Sequence, residues 1–397
     1  MCGARAFLFA FSSPVPGKIR VICHPKSYYM EEVTMKKHST LKKFFALAAA
    51  AALSISLFAC SGGENTPTGN PDDGVQTTTP SQQGGDTQAP ETQQPSGGGT
   101  YKIAIIKLTD HPSLDEIANA VAARLDEIAA ENGVTIEYDI TSGQGDPTVL
   151  RQLSDQAIAD GVDAIIPIAT AAAQMAVLSA EATKTPVIFS AVSYPADAKI
   201  DGIDYVSGIS DALNTGLILD MMLAQNPSVS KVGLLYSLSE INSATPIAEA
   251  KAYLDGKGIA YVEQTANTND EVIAAASALI AAGVDAVFTP TDNIIASAEL
   301  AIAPSLIDAG IPHYAGADSF VRNGAFATCG VNYTQLGRDT ADLAYRAVTE
   351  GMSGMEDYYL AGGGIITVNT ETAAVLDIGY SMFSDMGTVV EVVTTED

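Results

Sequence analysis

From residue 101 onward, apolar and polar positions alternate between two periods. Ile103–Ile106 is a short apolar run. Beyond it Leu114, Ile117, Val121, Leu125 and Ile128 recur at steps of three and four, the stripe of an amphipathic helix. Val134–Ile140 reads as a strand. Asp146-Pro147 supplies an N-cap and a proline at the first helical position, and that helix closes at Gly161. Ala164–Ile168 is a buried strand, Ala171–Ala182 a helix and Pro186–Ser190 another strand. Strand and helix alternating in this way predict a parallel α/β sheet covered on both faces.

The pattern then recurs. Lys102–Ile106 matches Lys231–Leu235, Gly161–Ile166 matches Gly283–Phe288, and Thr185–Phe189 matches Ile311–Ala315, at offsets of 129, 122 and 126. In the second copy Thr268 and Glu271 form a capping box ahead of Val272, Ile273, Ala276, Leu279 and Ile280, and Gly283 closes that helix. Three matches in the same order predict two similar α/β lobes. Ligands of open α/β sheets bind outside the carboxyl ends of the strands. A cleft is therefore expected between loops 107–114, 141–146, 169–172 and 190–195 of one lobe and 236–243, 289–293 and 315–320 of the other.

The first hundred residues have a different pattern. Lys36–Lys43 is basic, residues 44–59 are an uncharged run of 16, and Leu57-Phe58-Ala59-Cys60 follows. The run is short of the roughly 20 residues a membrane-spanning helix needs. It resembles a bacterial lipoprotein signal (35–59) with Cys60 as the lipidated N-terminus. Glu31-Glu32-Val33 can be encoded by a purine-rich ribosome-binding sequence just upstream of Met35. Residues 1–34 are therefore read as a start-site extension. Residues 61–100 carry only Val75 and Ala89 as apolar side chains besides proline. With Cys60 they are expected to form a disordered tether with a reach of about 35 Å.

Charge narrows the function. Asp and Glu number 47 against 20 Lys and Arg, a net charge of −27, which argues against a nucleic-acid partner. Four Cys and four His leave little room for a disulfide framework or a multi-His metal site. Cys329 is the only Cys of the repeated region and reads as a core residue. Phosphate-loop, His-Glu-x-x-His and Gly-x-Ser-x-Gly motifs are absent, so no enzyme, metal or cofactor is expected. A carboxylate pair, and with it a cell-wall hydrolase, stays open at this stage.

At the expected cleft loops the chain resembles a known family. The segments are Lys102–Pro112, Gly145-Asp146, Ile168–Gln174, Phe189–Pro195, Gly208–Asp211, Asn242-Ser243, Pro290–Asn293, Gly316–Ser319 and Gly330–Tyr333. Together they are similar to the ABC-transporter substrate-binding lipoproteins whose characterised members bind aromatic amino acids. The resemblance implies a periplasmic-binding-protein type I fold with three crossings between lobes. Lobe 1 is then expected to comprise 101–212 and 322–352, and lobe 2 to comprise 213–321 and 353–397. It further implies a small amino-acid ligand, a permease and its ATPase as partners, an extracytoplasmic lipid-anchored location and a monomer. Other small solutes (branched-chain amino acids, nucleosides, sugars) and a sensory role are the alternatives.

Chemistry assigns candidates within the loops. A ligand carboxylate suits a helix N-terminus with hydroxyls: Thr170 and Ala171, Asn242 and Ser243, with Ser193 and Ser319 beside them. An ammonium group needs an anion, and Asp318 and Asp292 are placed ahead of Asp211. Tyr194, Tyr236, Phe320 and Tyr333 are candidate aromatic walls, and His111 a candidate donor. Tyr194 is bulky where a smaller residue is expected in relatives, which would narrow the slot against tryptophan.

Overall fold

The apolar run near residue 103 forms strand β1 (Thr100–Lys107) in the computed structural model, which describes residues 98–395. The expected start-site extension, the signal peptide, Cys60 and nearly all of the tether lie outside the described residues. Helix α1 (Pro112–Asn132) buries the stripe read from sequence, Leu114 through Ile128, and ends at Gly133 with φ 63°. Strands β2 (Thr135–Ser142), β3 (Ala164–Ile168), β4 (Val187–Ser190) and β5 (Val206–Ser210) alternate with helices α2 (Pro147–Ala159) and α3 (Thr170–Ala180). Asp146 caps α2 by accepting the Thr148 amide.

The second unit of the repeat runs through α4 (Thr215–Gln225), β6 (Lys231–Tyr236), α5 (Ala244–Lys257) and β7 (Ala260–Thr265). It continues through α6 (Asn269–Ala282), β8 (Ala286–Thr289), α7 (Asn293–Asp308), β9 (His313–Ala315), α8 (Asp318–Arg322) and β10 (Ala327–Gly330). The chain ends with α9 (Tyr333–Glu350), β11 (Tyr359–Leu360), β12 (Ile365–Asn369), α10 (Thr370–Leu376) and β13 (Thr388–Val392).

Two sheets result, with orders β11-β5-β4-β3-β1-β2 and β13-β12-β10-β9-β8-β6-β7. The first is parallel throughout, and the second is parallel except where β10 meets β12. The repeated Gly-Val-Asp explains itself here. Gly161 and Gly283 take φ of 74° and 64° just past a helix, where a Cβ is costly. Two residues on, Asp163 and Asp285 accept the backbone amides of Lys102 and Lys231 at 2.8 and 2.9 Å. Each motif ends a helix and pins the next strand against the first strand of its sheet.

The chain passes between lobes three times: from β5 to α4, from β10 to α9 and from β11 to β12. The boundaries expected from sequence need correcting. The segment 322–331 belongs with the second sheet, because β10 pairs with β9 and β12 before the chain crosses. The segment 353–361 belongs with the first sheet, because β11 pairs with β5. A two-residue strand leaves no periodicity to read. Helix α9 does pack on α1 in lobe 1. A Cβ on its Gly337 would lie 2.6 Å from the Ile117 carbonyl oxygen, so only glycine permits this approach.

Candidate ligand-binding cleft

The carboxyl ends of the strands from both sheets converge on one cavity of about 20 Å³. That is room for about one water molecule, so any larger solute enters only if the lobes separate. Hydrogen bonds join the lobes around it. His111 Nε2 lies 3.0 Å from Asn293 Oδ1, and the Ser193 and Thr291 hydroxyls are 3.2 Å apart. Ser113 donates to Ser319, and Thr245 to Asp197. A larger groove of about 410 Å³ lies on lobe 1 between β1, β2 and α2, and it draws on one lobe alone.

Lobe 1 contributes groups without a cap or a charged partner. Helix α3 begins at Ala169, whose φ of 78° and ψ of 162° are rare for a residue with a Cβ, and no side chain caps it. Its first amides therefore have no acceptor within the helix. Ala191, after β4, has φ 54° and also lines the cavity. Asp211, just past β5, is buried there with only neutral donors, Ser193 Oγ at 2.8 Å and Tyr333 Oη at 3.2 Å. Burial holds its carboxyl above the usual range. A carboxyl group so placed would be matched by a ligand cation.

Lobe 2 contributes groups that already satisfy one another. Asp292 caps α7, accepting the amides of Ile294 and Ile295, and also takes Ser243 Oγ and the Ser237 amide at 2.7 Å each. Asn242 donates to the Thr291 carbonyl at 2.8 Å. Behind them His313 bridges Glu299 and Thr289, at 2.9 and 2.8 Å, inside the lobe.

Of the residues singled out from sequence, His111, Thr170, Ser193, Asn242 and Asp292 line the cavity. Ala171 follows Thr170 in the open first turn of α3. Ser243 is buried beneath Asp292, and Ser319 is tied to Ser113. Asp318 is not among the lining residues, and its carboxylate pairs with Arg322 at 3.3 Å. Tyr194, whose hydroxyl is buried without a partner, is not among the residues lining this closed cavity, and Tyr236 bonds Glu263. Phe320 and Tyr333 supply the aromatic faces. Ser113, Thr291 and Asn293 were not singled out as contacts. Their one signal was position, within loops that the strand ends already marked.

Among the described residues no set of three His, Cys, Asp or Glu side chains is placed to hold a metal ion. Cys329 is buried in lobe 2, and burial raises its thiol. No described helix is long and apolar enough to cross a membrane.

Comparison with known proteins fits this geometry. A tyrosine-binding protein of Clostridioides difficile is 30% identical over 279 residues, 69% of this chain and 79% of that protein. The structure of an ABC domain in complex with L-Trp from Streptococcus pneumonia superposes with a TM-score of 0.67 at 26% identity, covering 73% of this chain and 100% of the other. The ligand-free, open structure of an adhesive substrate binding protein from Clostridium difficile gives 0.57 at 28% identity, covering 74% and 100%. The model of ABC transporter substrate binding proteins matches residues 102–381, which include the strands and helices of both lobes from β1 through α10. With two repeated lobes meeting at a shared cavity, the chain belongs to that family.

Proposed function

We propose that this protein captures an aromatic amino acid between its lobes and delivers it to a membrane permease driven by a partner ATPase. The observation that carries the reading is the pairing of two unmatched groups in one cleft. Asp211 is a buried carboxyl group without a cationic partner, and the N-terminus of α3 is a positive helix end without a cap. A zwitterion fits both: ammonium on Asp211, carboxylate on the amides after Ala169 with the Thr170 hydroxyl. Phe320 and Tyr333 then flank the side chain. Relatives named for tyrosine and for an L-Trp complex support the aromatic class. In this reading Cys60 carries the lipid anchor and holds the lobes on the extracytoplasmic face of the membrane. Ligand capture needs no bond-making, and the protein performs no catalysis.

Calorimetric titration of the full chain, stripped of carried solute by unfolding and refolding, against the twenty amino acids, nucleosides and sugars tests the reading. Tight binding confined to aromatic amino acids is expected. The chain has no Trp, so red-edge fluorescence would report added tryptophan alone. Tight binding of a sugar or nucleoside instead would overturn it.

A further inference from the structure

One acceptor in the cleft is left over when the amino-acid backbone has been accommodated. Its protonation state follows from a chain of three side chains that spans the lobes. Glu240, in the loop after β6, accepts a hydrogen bond from Asn293 Nδ2 at 2.7 Å. It also takes the Asn293 backbone amide. Those bonds orient the Asn293 amide, so its oxygen faces His111 Nε2 at 3.0 Å. An amide oxygen only accepts, so Nε2 carries the proton. Desolvation lowers the imidazole's affinity for a second proton. The ring is then neutral, and Nδ1 presents a lone pair.

That Nδ1 is buried and has no partner. An unpaired buried acceptor costs about 1–3 kcal/mol. His111 lines the cavity, with Phe320 among its neighbours on the wall. The charged groups near the ring are Asp110, Asp115 and Lys107 of lobe 1. Lys107 is engaged with both aspartates, and none of the three bonds Nδ1. The ligand's ammonium goes to Asp211, because a neutral imidazole cannot offset its charge.

We propose that His111 Nδ1 is a specificity acceptor that reads a hydrogen-bond donor on the ligand's ring. The cleft then takes amino acids with a phenol O–H or an indole N–H and discriminates against a bare phenyl ring. This rests on the aromatic amino-acid reading above. A site built to pair with a donor discriminates strongly against the analogue that lacks it, because its own acceptor stays unpaired.

The test is titration of the full chain with tyrosine, tryptophan and phenylalanine, for wild type, His111→Phe and His111→Gln. Wild type is expected to bind tyrosine or tryptophan at least about tenfold tighter than phenylalanine. His111→Phe should bring that ratio near one, and His111→Gln, which keeps an acceptor, should retain most of it. The ¹⁵N shift of Nδ1 in wild type should move with the preferred ligand and not with phenylalanine, which needs no variant to fold. Equal binding of all three ligands by wild type overturns the inference and leaves the aromatic reading standing. So does a ratio that survives His111→Phe with only a lower Tm, which would leave Nδ1 serving the start of α1. Failure of all three to bind overturns both.

Discussion

Helices α3 and α7 occupy equivalent places in the two lobes, each following the strand next to the first one, yet they begin in opposite ways. Helix α7 starts at Asp292, whose carboxylate takes two amides of its own helix and two donors from the loop after β6. Helix α3 starts at Ala169, uncapped and in a backbone conformation that costs on the order of 1–3 kcal/mol. One end is closed on itself and the other is open toward the cleft. The difference assigns roles to the lobes: lobe 1 and the crossing at Asp211 hold charged ligand groups, and lobe 2 is a stiff wall that closes over them. It also shows why an aspartate in a cleft loop is poor evidence of ligand contact. Its carboxylate can be fully used by the fold.

If the comparison is right, substitutions at matching points diverge. The largest effect falls on stability. Asp292→Ala strands several buried donors at once and should cost about 3 kcal/mol in urea unfolding. A fold of undiminished stability with lost affinity would break the contrast. Asp211→Asn should leave stability intact or raised, since it removes a buried uncompensated carboxylate, while affinity falls at least tenfold, ~1.4 kcal/mol. Asp318→Ala, by contrast, should change affinity less than about threefold by calorimetry.

A pH series sharpens the picture of lobe 2. Burial and the neighbouring Asp292 push Glu240 up to about 7 from an ordinary 4.5. The folded state then binds this proton more tightly than the unfolded one. Stability from this group is full below about pH 4.5 and declines as pH rises to about 7. Glu240→Gln lacks that decline, so its stability relative to wild type should grow by roughly 2–3 kcal/mol between pH 5 and 8. A constant gap would rule out the burial effect. The smallest change is expected from Ala169→Gly. Relief of the positive φ should raise stability by about 0.5–1 kcal/mol, with affinity nearly unchanged, measured by thermal unfolding and titration. An equal response from Ala at position 173, inside α3, would deny any special strain at 169.

Much of this was written along the chain. The stripe from Leu114 to Ile128, the cap at Asp146 and the capping Thr268 are local features, decided within a few residues, and each forms as its neighbours dictate. The repeated Gly-Val-Asp marked equivalent strand starts because its chemistry is carried by one residue's φ and one carboxylate. The crossings were legible only in part. Strand β10 joined lobe 2 through pairing with β12, some forty residues later, which no local pattern records.

The sequence by itself determined two α/β lobes, the loops that would face each other and the family, because periodicity, caps and turn residues act over short spans. The tertiary structure alone decided which loop side chains are free. Asp292 and Asp211 look alike as loop aspartates, but four donors converge on the first and two hydroxyls on the second. Asp318 pairs with Arg322, and the Tyr194 hydroxyl is buried without a partner. Hydrogen-bond capacity is finite, and how it is shared depends on groups far apart in the chain that only the folded lobes bring together.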